Sequence, residues 1–212
     1  MIAAVVLCVA IAYVSGSLPW GLWVGRLARN VDVRTLGSGN LGATNVYRTL
    51  GPALGILTLV LDIAKGALPV WLLPQAALAA AFPGGPEWCR LAVGFAAVAG
   101  HVWTFLAGFK GGKGVATTVG VLLALAPVAF GVFVLVFLLV VAVTRYISLG
   151  STLGAAAFAV ALAFLAPDGP RSPTFLLGLL LAALVVFRHR DNFRRLLRGE
   201  ERRFSFRGGR AS

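Results

Sequence analysis

Acidic residues are scarce in this chain: 7 Asp and Glu stand against 19 Lys and Arg among 212 residues, and only 12% of the sequence is charged. A soluble domain carries roughly a quarter charged residues, so this chain has too few to cover a water-facing surface. Cysteine is limited to Cys8 and Cys89 and histidine to His101 and His189. No grouping of these has metal-ligand spacing, which excludes a zinc ribbon or a disulfide framework. Cys8 lies inside the first apolar run and Cys89 at the start of the third, two residues before Leu91, and both read as small packing residues. No basic residue precedes Ile2–Val14 and no small-residue cleavage site follows, so the N-terminus reads as a retained span rather than a signal peptide.

What is abundant is apolar length. Hydrophobic residues make up 59% of the chain and the mean hydropathy is +0.90. The runs are Ile2–Val24, Leu50–Leu73, Leu91–Phe109, Val115–Val143, Leu149–Leu165 and Phe175–Phe187. Most approach or exceed the roughly 17 to 20 residues that cross a bilayer core. They do not alternate, so they predict helices rather than barrel strands.

Arginines fill the loop after the first run (Arg26, Arg29, Arg34, Arg48) and the tail after the last, from Arg188 to Arg210. By the positive-inside rule both face the cytoplasm and the N-terminus lies outside, which requires an odd number of crossings. Six runs give the wrong parity. Val115–Val143 is the longest and holds Pro127, which disfavours helix at Ala126, so a break is predicted there. The expected fold is all-α and polytopic: about seven transmembrane helices in one domain over 1–212, with a basic cytoplasmic tail at 189–212. Arg90 and Arg171 then lie outside, near Glu87 and Asp168. The net charge of +12 reads as attraction to anionic membrane lipids, not to nucleic acid.

Four clusters interrupt the apolar pattern. The first, Gly37–Arg48, contains G-x-G-x-x-G, but a dinucleotide fold needs a soluble βαβ unit that is not here. What survives is anion chemistry: glycines open the backbone, Ser38, Asn40, Thr44 and Asn45 add neutral donors, and Arg48 adds a bidentate one. The second, Gly108–Gly114 with Thr117 and Thr118, resembles a P-loop but misses its spacing at Ala107 and Gly114. Lys110 and Lys113 among glycines still suit a phosphate. The third is Arg145–Ser151. The fourth is Arg188–Glu201, in which His189 and Asn192 share a helix face. Inside the apolar runs, Asp62 and Lys65 lie one turn apart and read as a mutually satisfied pair, and His101 as an interhelical hydrogen bonder.

In order, Gly37–Arg48, Gly100–Thr117, Arg145–Ser151 and Arg188–Glu201 resemble the signatures of the bacterial acyl-phosphate:glycerol-3-phosphate acyltransferases, the PlsY family. The resemblance spans nearly the whole chain. It departs at Thr104, where the family typically has proline after His101 in a G-H-x-x-P pattern. It implies a seven-helix enzyme of the bacterial inner membrane, facing the cytoplasm. Such an enzyme transfers an acyl group from acyl phosphate to glycerol 3-phosphate, giving 1-acylglycerol 3-phosphate and phosphate without a cofactor. Carried over by motif, the catalytic set is Ser38, Asn45, His189 and Asn192. The binding set is Gly39, Asn40, Gly42, Thr44, Arg48, Lys110, Gly111, Gly112, Lys113, Gly114 and Ser148.

That chemistry fits the residue types. Two anions must be held side by side, and a tetrahedral oxyanion needs preorganised donors, for which Ser38, Asn45 and nearby backbone N–H groups are candidates. No histidine has an acid placed for an H-x-x-x-x-D pair and no G-x-S-x-G elbow occurs, so direct attack is expected over an acyl-enzyme. The general base is His189 or the phosphate of glycerol 3-phosphate, whose second pKa is near 6. A transporter for a phosphorylated solute is the rival, but it needs a path to both faces.

Overall fold

The computed structural model describes residues 2–75, 82–166 and 169–204. Asp168, and Arg207 and Arg210 of the tail, lie outside them. Ten α-helices order the described residues: α1 Ile2–Ser17, α2 Trp20–Arg29, α3 Ala43–Leu50, α4 Pro52–Leu72, α5 Gly85–Val102, α6 Val115–Leu125, α7 Pro127–Thr144, α8 Ile147–Leu165, α9 Pro173–Arg188 and α10 Arg190–Leu197. Helices α4, α5, α7 and α9 each carry proline at the first or second position, where the missing N–H costs nothing. Hydropathy alone misses such polar starts, which is why α5 begins at Gly85 and not at Leu91.

The expected break at Ala126 is present. Ala126, at φ −147° and ψ 73°, leaves the helical region and caps α7, and α6 is left with 11 residues. A second break was not expected: the first apolar run divides at Leu18–Pro19, where Pro19 caps α2. Five stretches are long and apolar enough to cross a bilayer, Ile2–Arg29, Pro52–Gln75, Gly85–Ala107, Pro127–Thr144 and Ile147–Leu165. Helices α9 and α10 make a sixth if taken together, bent by 49°. The surface is inverted relative to a soluble protein. Leu135, Leu138, Leu139 and Val143 of α7 are exposed, whereas Asp62, Lys65 and His101 are buried. Lipid is the solvent for these helices.

The described residues divide into two compact units, one up to Ala124 and one from Leu125 to Phe204. In the first, α1 packs on α5 and α4 on both. Small residues permit this closeness: a methyl on Gly16 would overlap the Ala97 carbonyl, and one on Gly66 the Thr117 carbonyl. In the second, α8 packs on α7 and α9. There Phe130, Phe133 and Phe137 stack along α7, and Gly154 lies under Phe133.

Candidate active site

The first cluster folds into a loop clamped by one side chain. Asn45, buried on α3, accepts from the Ser38 N–H at 2.8 Å and the Ser38 hydroxyl at 3.1 Å. Its amide donates to the Val33 and Leu36 carbonyls at 3.0 and 3.1 Å. Both amide hydrogens of Asn45 are therefore committed to the loop. Asn45 is thus the residue that positions Ser38, whose N–H and hydroxyl hydrogen both go to Asn45 Oδ1 in this structure. Asn40 closes a tight turn by accepting the Gly42 N–H at 2.8 Å. Upstream, Asp32 caps a short turn and pairs with Arg34 at 2.6 Å and Arg26 at 3.2 Å. The Arg34 guanidinium, aided by Arg26, holds the Asp32 carboxyl well below the usual carboxylate range.

The second cluster caps a helix. The last carbonyls of α5 have no partner within the helix. Gly112 N–H donates to the His101 carbonyl at 3.2 Å and Gly111 N–H to the Val102 carbonyl at 3.1 Å. A methyl on Gly111 would overlap the His101 carbonyl, and one on Gly112 the His101 ring. These two glycines thus let the loop dock on α5, while Lys110 and Lys113 carry the positive charge. Gly114, at φ +83°, turns the chain into α6. Thr104, the departure from the family pattern, is buried and donates its hydroxyl to the Ser17 carbonyl. Proline has no such donor, so the position gains a tie to the end of α1.

The first two clusters meet. Leu41 and Val46 share one buried apolar cluster with Ala107 and Val33, which seats both loops on a common platform. Arg48 and Lys113 are half-buried, and Ser38 and Lys110 are exposed.

The third and fourth clusters meet in the second unit, on a residue to which sequence reasoning gave no role. Glu201 accepts from the Ser148 hydroxyl at 2.8 Å, the Asn192 amide at 2.6 Å and Arg195 Nε at 2.9 Å. Burial pushes its carboxyl up, but the bonds from Asn192, Ser148 and Arg195 outweigh this and hold it below its ordinary value. The chain then returns to the start of α8, where the Phe204 N–H donates to the Arg145 carbonyl at 2.7 Å. An acid inside an arginine-rich tail was the available signal. His189, buried at the α9–α10 bend, has Nδ1 2.8 Å from the Val185 carbonyl. A carbonyl only accepts, so Nδ1 carries a proton in this contact.

Long apolar helices with lipid-type surfaces, together with loops rich in neutral donors, lysine and arginine, define an integral membrane protein. Residues 6–199 match the family model described as glycerol-3-phosphate acyltransferase. The chain is 47% identical over 195 residues to the glycerol-3-phosphate acyltransferase of Geobacter sulfurreducens, covering 92% of this chain and 95% of that one. It is 46% identical over 204 residues to that of Desulforudis audaxviator, covering 96% and 98%. Its fold is similar to the crystal structure of PlsY (YgiH), an integral membrane glycerol 3-phosphate acyltransferase, in its glycerol 3-phosphate form. The TM-score is 0.84 at 37% identity, covering 95% of this chain and 96% of that one. The lysophosphatidic acid form matches at 0.82 and 36%, covering 95% of each chain. The chain belongs to the glycerol-3-phosphate acyltransferase family and is an acyltransferase.

Proposed function

We propose that this enzyme transfers an acyl group from acyl phosphate to the 1-hydroxyl of glycerol 3-phosphate. The products are 1-acylglycerol 3-phosphate and inorganic phosphate, and the step opens bacterial phospholipid synthesis. The observation that carries the reading is the shared seat of the two loops: Leu41 and Val46 of one and Ala107 beside the other lie in one buried cluster. Two anion-binding loops side by side are what a reaction between two phosphorylated substrates requires. The solved relative is described in a glycerol 3-phosphate form and a lysophosphatidic acid form, which are acceptor and product of such a transfer.

The roles follow from the chemistry. Lys110, Lys113 and Arg48, with Thr44, Asn40, Ser148 and the backbone shaped by Gly39, Gly42, Gly111, Gly112 and Gly114, bind the two phosphates. The Ser38 hydroxyl, once turned from Asn45 Oδ1 toward the substrate, and adjacent backbone N–H groups receive the carbonyl oxygen as it becomes an oxyanion, each donor contributing roughly 3 kcal/mol. The acceptor hydroxyl attacks the carbonyl carbon and its proton passes to His189 Nε2 or to the acceptor's own phosphate. The carbon–oxygen bond to phosphate then breaks. The enzyme sits in the bacterial inner membrane with seven crossings in one functional domain, loops and tail facing the cytoplasm.

The test is direct. Purified protein is given palmitoyl phosphate and glycerol 3-phosphate, and lysophosphatidic acid and released phosphate are measured. Equimolar release of both is expected. Turnover with palmitoyl-CoA or an acyl carrier protein thioester, and none with palmitoyl phosphate, would overturn the donor assignment.

A further inference from the structure

Three charged or titratable side chains lie buried in the first unit, behind the loops assigned to substrate. Lys65 Nζ is 2.8 Å from Asp62 Oδ1, and His101 Nδ1 is 3.7 Å from the same oxygen. All three are 5% exposed or less. Lys65 also donates to the Leu18 carbonyl at 2.7 Å, at the break between α1 and α2. A cavity of about 10 Å³, room for about one water, is lined by Trp20, Leu41, Asp62, Lys65, His101 and Gly112. Trp20 Nε1 and both Asp62 oxygens are buried there without a hydrogen bond of good geometry, so a water would find polar partners.

The arrangement points outward from the membrane interior to the substrate loops. The His101 ring lies against the Cα of Gly112, and the His101 carbonyl takes the Gly112 N–H. Leu41 of the Ser38 loop closes the same cavity. An ion pair kept only for stability has an inexpensive apolar substitute, since replacing such a pair with well-packed apolar residues is commonly neutral or stabilising. A pair whose far end touches an anion-binding turn has a reason to remain.

We propose that Asp62, Lys65 and His101 form an intramembrane positioning unit that sets the shape of the turn Lys110–Gly114. Asp62 orients the His101 ring, Lys65 neutralises Asp62 and ties it to Leu18, and the ring acts as the template against which Gly112 is pressed. The three residues touch no substrate. The inference rests on the turn binding phosphate, as argued above.

The experiment compares four purified variants with the wild type by thermal unfolding and by separate KM values for both substrates. In the apolar pair Asp62→Leu with Lys65→Met, the unfolding temperature is expected to hold while KM for glycerol 3-phosphate rises at least tenfold. KM for acyl phosphate should change less than threefold. Gly112→Ala and His101→Ala are each expected to raise KM for glycerol 3-phosphate. The double variant should be no worse than His101→Ala alone, because removing the ring vacates the space the new methyl needs. A stable apolar-pair variant with unchanged KM, or losses that multiply in the double variant, overturns the positioning unit. Those results would leave the functional reading intact, whereas absence of transfer in the wild type counts against that reading instead.

Discussion

The Asn192 amide donates to Glu201 Oε1 at 2.6 Å, on the oxygen that also accepts the Ser148 hydroxyl. One carboxylate thereby joins the start of α8 to α10 and orders two residues assigned to the site. Glu201→Ala should remove these anchors together and lower stability by about 3 kcal/mol, since each bond to a charged group contributes roughly 1.5–3 kcal/mol. The sign of the pH effect follows. The folded carboxyl lies below its unfolded value, so its stabilisation is present at neutral pH and is lost as pH falls through the lowered value. Thermal unfolding in detergent between pH 7 and pH 3 should show a steeper acid loss for wild type than for Glu201→Gln. Equal slopes would remove Glu201 from the account.

The same contacts set where the tail stops mattering. Arg203 lies over the Tyr146 ring and the Phe204 N–H reaches Arg145. Deleting residues 205–212 is expected to leave kcat and both KM values within about twofold, because the basic residues removed there are read as resting on anionic lipid. Deleting 200–212 should abolish activity. If the shorter deletion alone destroyed it, a separate role for the arginines would follow.

Much of this was legible from residue order, and the rest has identifiable physical causes. Apolar length located the long helices, and Pro127 located the break between α6 and α7. Pro19 was equally visible, as were Ser15, Gly16, Ser17 and Gly21 around it, but the apolar residues on either side made the stretch read as one run. The donor-rich loops stood out from residue order, while the direction of each hydrogen bond did not. Composition cannot tell an Asn45 that faces substrate from one whose amide is held by Val33 and Leu36. Nor can it show that Gly111 and Gly112 direct their N–H groups toward α5. Glu201 escaped notice because a lone acid among arginines reads as a solvated counter-charge until its three donors are placed in space.

Ser38 and Asn45 should separate by what their removal changes. Ser38 is exposed, so Ser38→Ala should leave the unfolding temperature unaltered while kcat falls by about a hundredfold, the scale of a lost oxyanion donor. Asn45→Ala strands the Val33 and Leu36 carbonyls and the Ser38 N–H. It should lower stability by about 1–3 kcal/mol in addition to activity. Equal unfolding temperatures for both variants would contradict the clamp.

His189 Nδ1 is engaged by the Val185 carbonyl, so Nε2 is the ring nitrogen to which the proposed proton transfer is assigned. His189→Ala is expected to cut kcat by about a hundredfold or more, the usual contribution of a positioned general base. Rate measurements under saturating concentrations of both substrates isolate this from binding. A variant with near-normal kcat would assign proton removal to the phosphate of the acceptor.

Sidedness decides whether the loops can act together. Cys8 and Cys89 are both fully buried, so an impermeant maleimide should leave the wild type unlabelled. Lys110→Cys and Arg198→Cys, at exposed positions, should then react in inside-out vesicles and be protected in right-side-out ones. Arg171→Cys should show the reverse. With α6 only 11 residues long, its crossing requires shelter from neighbouring helices or a thinned bilayer, so this element is where a sidedness error would originate. Were Lys110 and Arg198 to label from opposite faces, the phosphate-binding loops and His189 could not serve one reaction centre, and the acyl-transfer mechanism assigned to them would be lost.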